Sequence, residues 1–224
     1  MSMLSNLELI RRVPLFAMLT STQAEAVAEA VIKRRFKRGE LVVEQGKKSN
    51  ALFIILTGRA PVFTSDARGR ELILASMQPG DYIGEMSLIN NEPHSASVRA
   101  EVQTDVLMLG RLEFARCLPE NTSMAYAVMK GLVQRLRSAD RKIESLALMD
   151  VYGRVARALM EAAEADAQGQ SVIRDKVSRQ DLAKMVGASR EMVSRVMKDL
   201  EERGYIETME NGSVVIRERL TTLG

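Results

Sequence analysis

The apolar pattern of the chain changes period at about residue 121, so it must build two kinds of structure. Before that point, glycines from Gly39 to Gly110 separate short β-rich runs: LVVE, ALFIILT, ELILASM, SASVRA and TDVLML. Short strands with glycine turns at roughly ten-residue spacing predict an antiparallel sandwich or barrel, here preceded by helical turns around residues 5 to 33. After it, Ala125, Met129, Leu132, Leu136, Ala139, Ile143 and Leu146 follow one another at alternating steps of four and three. Such a seam keeps one helical face apolar along its whole length and predicts packing against a partner helix. Residues 121 to 146 would run about 39 Å at 1.5 Å per residue, enough to link two domains and a second subunit. A helix lying on its own β domain is the simpler alternative. The length of the seam favours a homodimer, with Met129, Leu132, Leu136, Ala139, Ile143 and Leu146 in the interface. Arg135, Arg137, Arg141 and Lys142 form a polar outer face under either reading.

Residues 150 to 167, DVYGRVARALMEAAEADA, read as a further helix ended by the loop Gln168-Gly169-Gln170. A small helical domain then continues to the end. The expected class is α+β, with a β domain over residues 1–120, a long helix and hinge over 121–149, and a third region over 150–224.

That third region carries the most informative segment, Val177 to Arg203, VSRQDLAKMVGASREMVSRVMKDLEER. Two short helical patterns meet at Gly187, the residue a tight inter-helix turn often needs. Ser178 is placed to cap the first helix, which buries Leu182, Ala183 and Val186; Ser189 caps the second, which buries Val193, Val196, Met197 and Leu200. The opposite face of the second helix presents Arg190, Glu191, Ser194, Arg195 and Lys198. An arginine can grip guanine O6 and N7 with two hydrogen bonds, and a glutamate can accept from cytosine N4. Arg190, Glu191, Ser194 and Arg195 sit on the first turns, where a recognition helix meets base edges. Ser178, Arg179, Gln180, Ser189 and Lys198 suit phosphates, which supply affinity and register but no sequence choice. Beyond Gly204, the Asn211-Gly212 turn predicts a β-hairpin wing.

Composition excludes several classes. With 46% hydrophobic and 27% charged residues in 224, the chain reads as globular. No apolar run approaches the roughly 20 residues of a membrane span, and the N-terminus lacks a signal-peptide core, so a cytoplasmic location without a membrane partner is expected. Cys117 and His94 are the sole cysteine and histidine. They exclude an internal disulfide, a structural zinc site and a single-chain iron–sulfur cluster, and Cys117 reads as a small buried hydrophobe. No Walker loop or nucleophile–base pair is present, so no catalytic residues and no metal are expected. The net charge of +3 is compatible with a nucleic-acid partner but matters less than its placement on one helix face.

The stretches SRQDLAKMVGASREMVSRVMKDLEERG and GDYIGEMSLINNEPHSASVRA resemble the family of the cyclic-AMP receptor protein and the fumarate–nitrate reduction regulator. The resemblance covers nearly the whole chain. It implies an N-terminal β jelly roll that binds an effector, a long dimerisation helix, a hinge near Asp150-Val151, a winged helix-turn-helix, and contact with RNA polymerase. Arg190, Glu191 and Arg195 match the family's readers of a TGTGA-like half-site, and Ser194 matches a base-contacting serine of the fumarate–nitrate branch. Gly84, Glu85 and Met86 match the stretch that holds the ribose of cyclic AMP, and His94, Ser95 and Ala96 match the phosphate-binding Arg-Ser-Ala.

The match fails in the pocket. His94 stands where the family has arginine, and Ala139 and Asp140 stand where it has an adenine-contacting Thr-Ser pair. An unperturbed histidine is mostly neutral at pH 7 and offers no planar fork of donors, and an aspartate adds negative charge beside an anionic ligand. Cyclic AMP is therefore disfavoured; another cyclic nucleotide, a cyclic dinucleotide, or no ligand at all remain open. A haem or iron–sulfur sensor is not expected. The rival reading is a cyclic-nucleotide-binding regulatory module acting through a protein partner, against which the complete helix-turn-helix speaks.

Overall fold

The structure is a computed structural model that describes residues 5–120, 122–167, 169–175 and 177–217. Asn121, Gln168 and the side chain of Cys117 lie outside the described residues. The chain forms two compact units, one up to Arg137 and one from Ser138 onward.

In the first unit, helices α1 (Asn6–Ile10) and α2 (Ser21–Ala30) precede eight strands and carry capping boxes from Ser5 and Thr20. The strands are β1 (Ile32–Phe36), β2 (Leu41–Val43), β3 (Ala51–Thr57), β4 (Ala60–Ser65), β5 (Glu71–Met77), β6 (Tyr82–Ile83), β7 (Ser97–Arg99) and β8 (Thr104–Gly110). They make two four-stranded antiparallel sheets, ordered β1-β8-β3-β6 and β2-β7-β4-β5. Strand β3 is apolar on both faces because both are covered. Phe53 and Ile55 face the core between the sheets with Val98 and Val106, while Leu52 and Ile54 pack with Val27 of α2 and with Leu107. Three strands had weak signals. In β1, IKRRF, only Phe36 is buried. In β4, Pro61 interrupts the run, and it is tolerated because pairing with β7 involves only Val62 and Phe63. The third, β6, is two residues long.

Helix α3 (Glu85–Asn90) follows β6, and α4 (Arg111–Glu120) leads into α5 (Thr122–Leu148). Helix α5 has two apolar faces. Met124 and Val128 are buried in the β-domain core, with Ala127 and Leu132 packed against it. Met129, Leu136 and Ile143 are 55%, 62% and 64% exposed, and Tyr126 and Val133 are exposed beside them. Of the expected interface residues, Leu132 thus lies partly on its own domain.

The second unit continues with α6 (Val151–Ala162), β9 (Glu164–Ala165), β10 (Ser171–Ile173), α7 (Arg179–Val186), α8 (Arg190–Glu202), β11 (Ile206–Thr208) and β12 (Val214–Ile216). The helix expected through residue 167 ends five residues earlier. Ala163 takes an extended backbone, and Glu164 and Ala165 pair with β10 across a turn closed by Asp166, whose carboxylate accepts from Gln170 N. The region is accordingly not all helical, since its strands form a third antiparallel sheet, β11-β12-β10-β9. No helix among the described residues is long and apolar enough to cross a membrane.

Candidate nucleic-acid interface and effector pocket

Helix α7 begins at Ser178, whose hydroxyl accepts from Asp181 N, and α8 begins at Ser189, whose hydroxyl accepts from Met192 N. Between them Gly187 takes the left-handed conformation, φ 64° and ψ 45°. Leu182, Ala183, Val186, Val193, Met197 and Leu200 join Val155 and Leu159 of α6 in one core. These anchors fix the rotation of α8, and that rotation leaves Arg190, Glu191, Ser194, Arg195 and Lys198 exposed on its other side.

The groups on this face are ready to bond. The Glu191 carboxyl is held below its ordinary range by its own backbone N–H, the Ser189 hydroxyl and the two flanking arginines, so it is an acceptor at neutral pH. Ser194 Oγ donates to Arg190 O at 2.8 Å and keeps lone pairs to accept. The phosphate candidates are more committed. Arg179 lies 3.7 Å from Glu201 and Lys198 lies 3.5 Å from Glu202, both partly or wholly in solvent. Ser178 and Ser189 accept backbone N–H groups as caps; Ser178 keeps its O–H proton to donate, whereas the Ser189 hydroxyl is already bonded to the Glu191 carboxyl. Gln180 is exposed. The wing strands β11 and β12 pair with Ile206 opposite Ile216, and the Asn211 side chain closes their turn on Ser213.

The pocket stretch is built differently. Gly84 has φ 100°, and a Cβ there would sit 2.7 Å from Ala51 O, so no other residue fits. It opens α3, whose first residue, Glu85, is 1% exposed. Glu85 Oε1 meets Arg135 Nη1 of α5 at 2.5 Å, while Oε2 is buried without a partner. Burial pushes the Glu85 carboxyl above its ordinary value and Arg135 opposes the shift. Arg135 also donates to Tyr82 O and lies over the Tyr82 ring. The Tyr82 hydroxyl donates to Val128 O at 3.2 Å, an approach possible because Gly131 has no side chain: a Cβ there would lie 2.0 Å from that hydroxyl.

His94 is 9% exposed, its Nε2 2.9 Å from Ser49 Oγ, and burial lowers its pKa. A neutral, already bonded imidazole brings no charge to a phosphate. Ala96, two positions on, is buried; Met86 and Ser95 are exposed, as are Ala139 and Asp140 on α5 in the second unit. Sequence reasoning missed Arg135 by assigning it to the outer polar face. The available signal was the stripe Met124, Val128, Leu132 and Arg135 on one side of α5. Among the described residues no three His, Cys, Asp or Glu side chains are grouped to hold a metal.

Two family models match the chain: the cyclic nucleotide-binding domain over residues 33–121 and the Crp-like helix-turn-helix domain over residues 153–221. The cAMP-activated global transcriptional regulator Vfr of Pseudomonas aeruginosa is 33% identical over 193 residues, 84% of this chain and 90% of that protein. The cyclic AMP receptor protein of Thermus thermophilus is 31% identical over 205 residues, 92% of this chain and 93% of that one. The solved structure of the c-di-GMP-responsive global regulator CLP of Xanthomonas campestris superposes with a TM-score of 0.76 at 26% identity, covering 88% of this chain and 99% of that chain.

Proposed function

The chain belongs to the Crp/Fnr family of DNA-binding transcription regulators, which are not enzymes, and on that premise we propose that it works as a homodimer reading a near-palindromic TGTGA-like operator. The observation that carries this reading is the exposed tip of α8. Two arginines, an ionised glutamate and a serine stand there on successive turns, all exposed among the described residues. Arg190 and Arg195 read guanines, Glu191 accepts from cytosine and Ser194 supports base choice, while Ser178, Arg179, Gln180, Ser189 and Lys198 hold phosphates. Dimerisation through Met129, Leu132, Leu136, Ala139, Ile143 and Leu146 would place two such helices about 34 Å apart, one turn of DNA. The exposure of Met129, Leu136 and Ile143 in a single chain supports that interface. The bound dimer addresses RNA polymerase, as in the family.

For the β domain we propose a nucleotide-type effector other than cyclic AMP. The unpartnered Glu85 Oε2 suits a ligand hydroxyl, and the neutral, Ser49-bonded His94 does not suit a phosphate. Cyclic AMP is the second reading, favoured by the relatives that it activates. A cyclic dinucleotide is favoured by the regulator of similar structure. A gel shift with a TGTGA palindrome, a single half-site and a scrambled duplex, without ligand and with each nucleotide, tests both parts. The account expects cooperative binding to the palindrome and no gain from cyclic AMP. Equal retention of all three duplexes would remove the operator assignment, and a large gain with cyclic AMP would reverse the effector assignment.

A further inference from the structure

Helix α8 carries an acid on the side it turns to DNA. Glu201, roughly three turns beyond Arg190, comes back to the stripe that Arg190 and Ser194 share. A carboxylate placed there opposes the phosphates that the arginines attract. Its contacts give it a different use.

Glu201 joins both helices to the wing. Its Oε1 accepts from the Thr208 hydroxyl of β11 and lies 3.7 Å from Arg179 Nη2 at the start of α7. Each backbone is fixed independently. Leu200, adjacent to Glu201, is fully buried; Ile206 of β11 is 2% exposed and pairs with β12; and Ser178 caps α7 immediately before Arg179. The Arg179 and Glu201 side chains keep only 30% and 36% exposure, so the pair is largely covered. Lys198 and Glu202, neighbours on one helix, keep 77% and 64%, and a surface pair of that kind restrains neither partner much. A guanidinium presents several N–H donors in a rigid fork, so one edge can meet a carboxylate while another meets a phosphate.

We propose that Glu201 is a positioning residue for DNA binding: anchored by Thr208, it holds the Arg179 guanidinium where a backbone phosphate arrives. This rests on the reading of Arg179 as a phosphate contact, and the experiment separates the two. Charge alone forecasts the opposite, since deleting a carboxylate from this face should tighten binding. Glu201→Gln keeps an oxygen for Thr208, Thr208→Val keeps both charges, and Arg179→Gln removes the cation. Fluorescence anisotropy of the full-length variants and parent, on the TGTGA palindrome and the scrambled duplex across a salt series, compares them, with thermal melts to show that each folds. Arg179→Gln should weaken both duplexes alike and lower the salt slope by about one. Glu201→Gln and Thr208→Val should each weaken both duplexes about threefold. Neither should add a loss in the Arg179→Gln background, whereas a loss from disturbed folding would persist there. Binding by Glu201→Gln or Thr208→Val no weaker than the parent, or full additivity with Arg179→Gln, would overturn the proposal and leave Arg179 as a phosphate contact. Unchanged affinity and salt slope in Arg179→Gln would overturn that contact and the proposal with it.

Discussion

The tip of α8 and the ground around Glu85 are both dense in charge, yet they hold it in opposite ways. On α8 the charges stand in solvent on the first turns of a helix whose rotation is set by Val193, Met197 and Leu200, all 0% exposed. Around Glu85 the charges neutralise one another inside the chain, with one carboxylate oxygen taken by Arg135 and the other left bare. A surface that reads DNA must keep its donors and acceptors uncommitted until the bases arrive. The proposed pocket would hold its groups in register through the Glu85–Arg135 pair, with Glu85 Oε2 left for a ligand to complete.

The contrast is broken most severely by Arg135→Ala, which leaves Glu85 buried and unpaired. Removing one member of a buried pair costs about 3 to 5 kcal/mol, and the lower end is expected because the Arg135 side chain keeps 35% exposure. Chemical denaturation should show that loss, whereas Arg190→Ala should leave stability within about 0.5 kcal/mol of the parent. Next is Leu136→Asp, which would set an unpaired charge against its symmetry mate. Sedimentation should report monomers, and palindrome binding should fall at least a hundredfold, about 2.7 kcal/mol.

A smaller effect separates the regions by pH. His94, the sole histidine, has a folded pKa below its ordinary 6.5 because it is buried. Below that ordinary value the unfolded chain takes up a proton that the folded chain refuses, so stability falls as pH drops from 7 to 5.5. Thermal melts of His94→Gln should show a flatter slope over that window than the parent. The smallest change is Lys198→Ala, which should weaken specific and random duplexes alike and reduce the salt slope of binding by about one.

The two regions also differ in how far the sequence exposes them. The helix-turn-helix is written locally: caps at Ser178 and Ser189, the turn at Gly187 and apolar spacing within 27 residues of Val177 to Arg203 fix which side chains face out. The strands rich in β-branched residues were equally legible. Strand β1 was not, because it is an edge strand with four of its five residues exposed and gives no alternation. Arg135 was not legible either, since its partner lies 50 positions away and its significance depends on the burial of Glu85. The early end of α6 follows from strand pairing with β10, a tertiary contact that overrides the helical propensity of Ala163 to Ala167.

The central claim is that α8 chooses bases, and the most direct measurement is fluorescence anisotropy of the parent and Arg195→Ala on a TGTGA palindrome and a scrambled duplex at fixed salt. The account predicts that the variant loses about 1 to 3 kcal/mol on the palindrome, accepts substitution at one base pair per half-site, and changes less on the scrambled duplex. Equal losses on both duplexes would make Arg195 a phosphate contact, and no loss on either would place base reading outside this helix face.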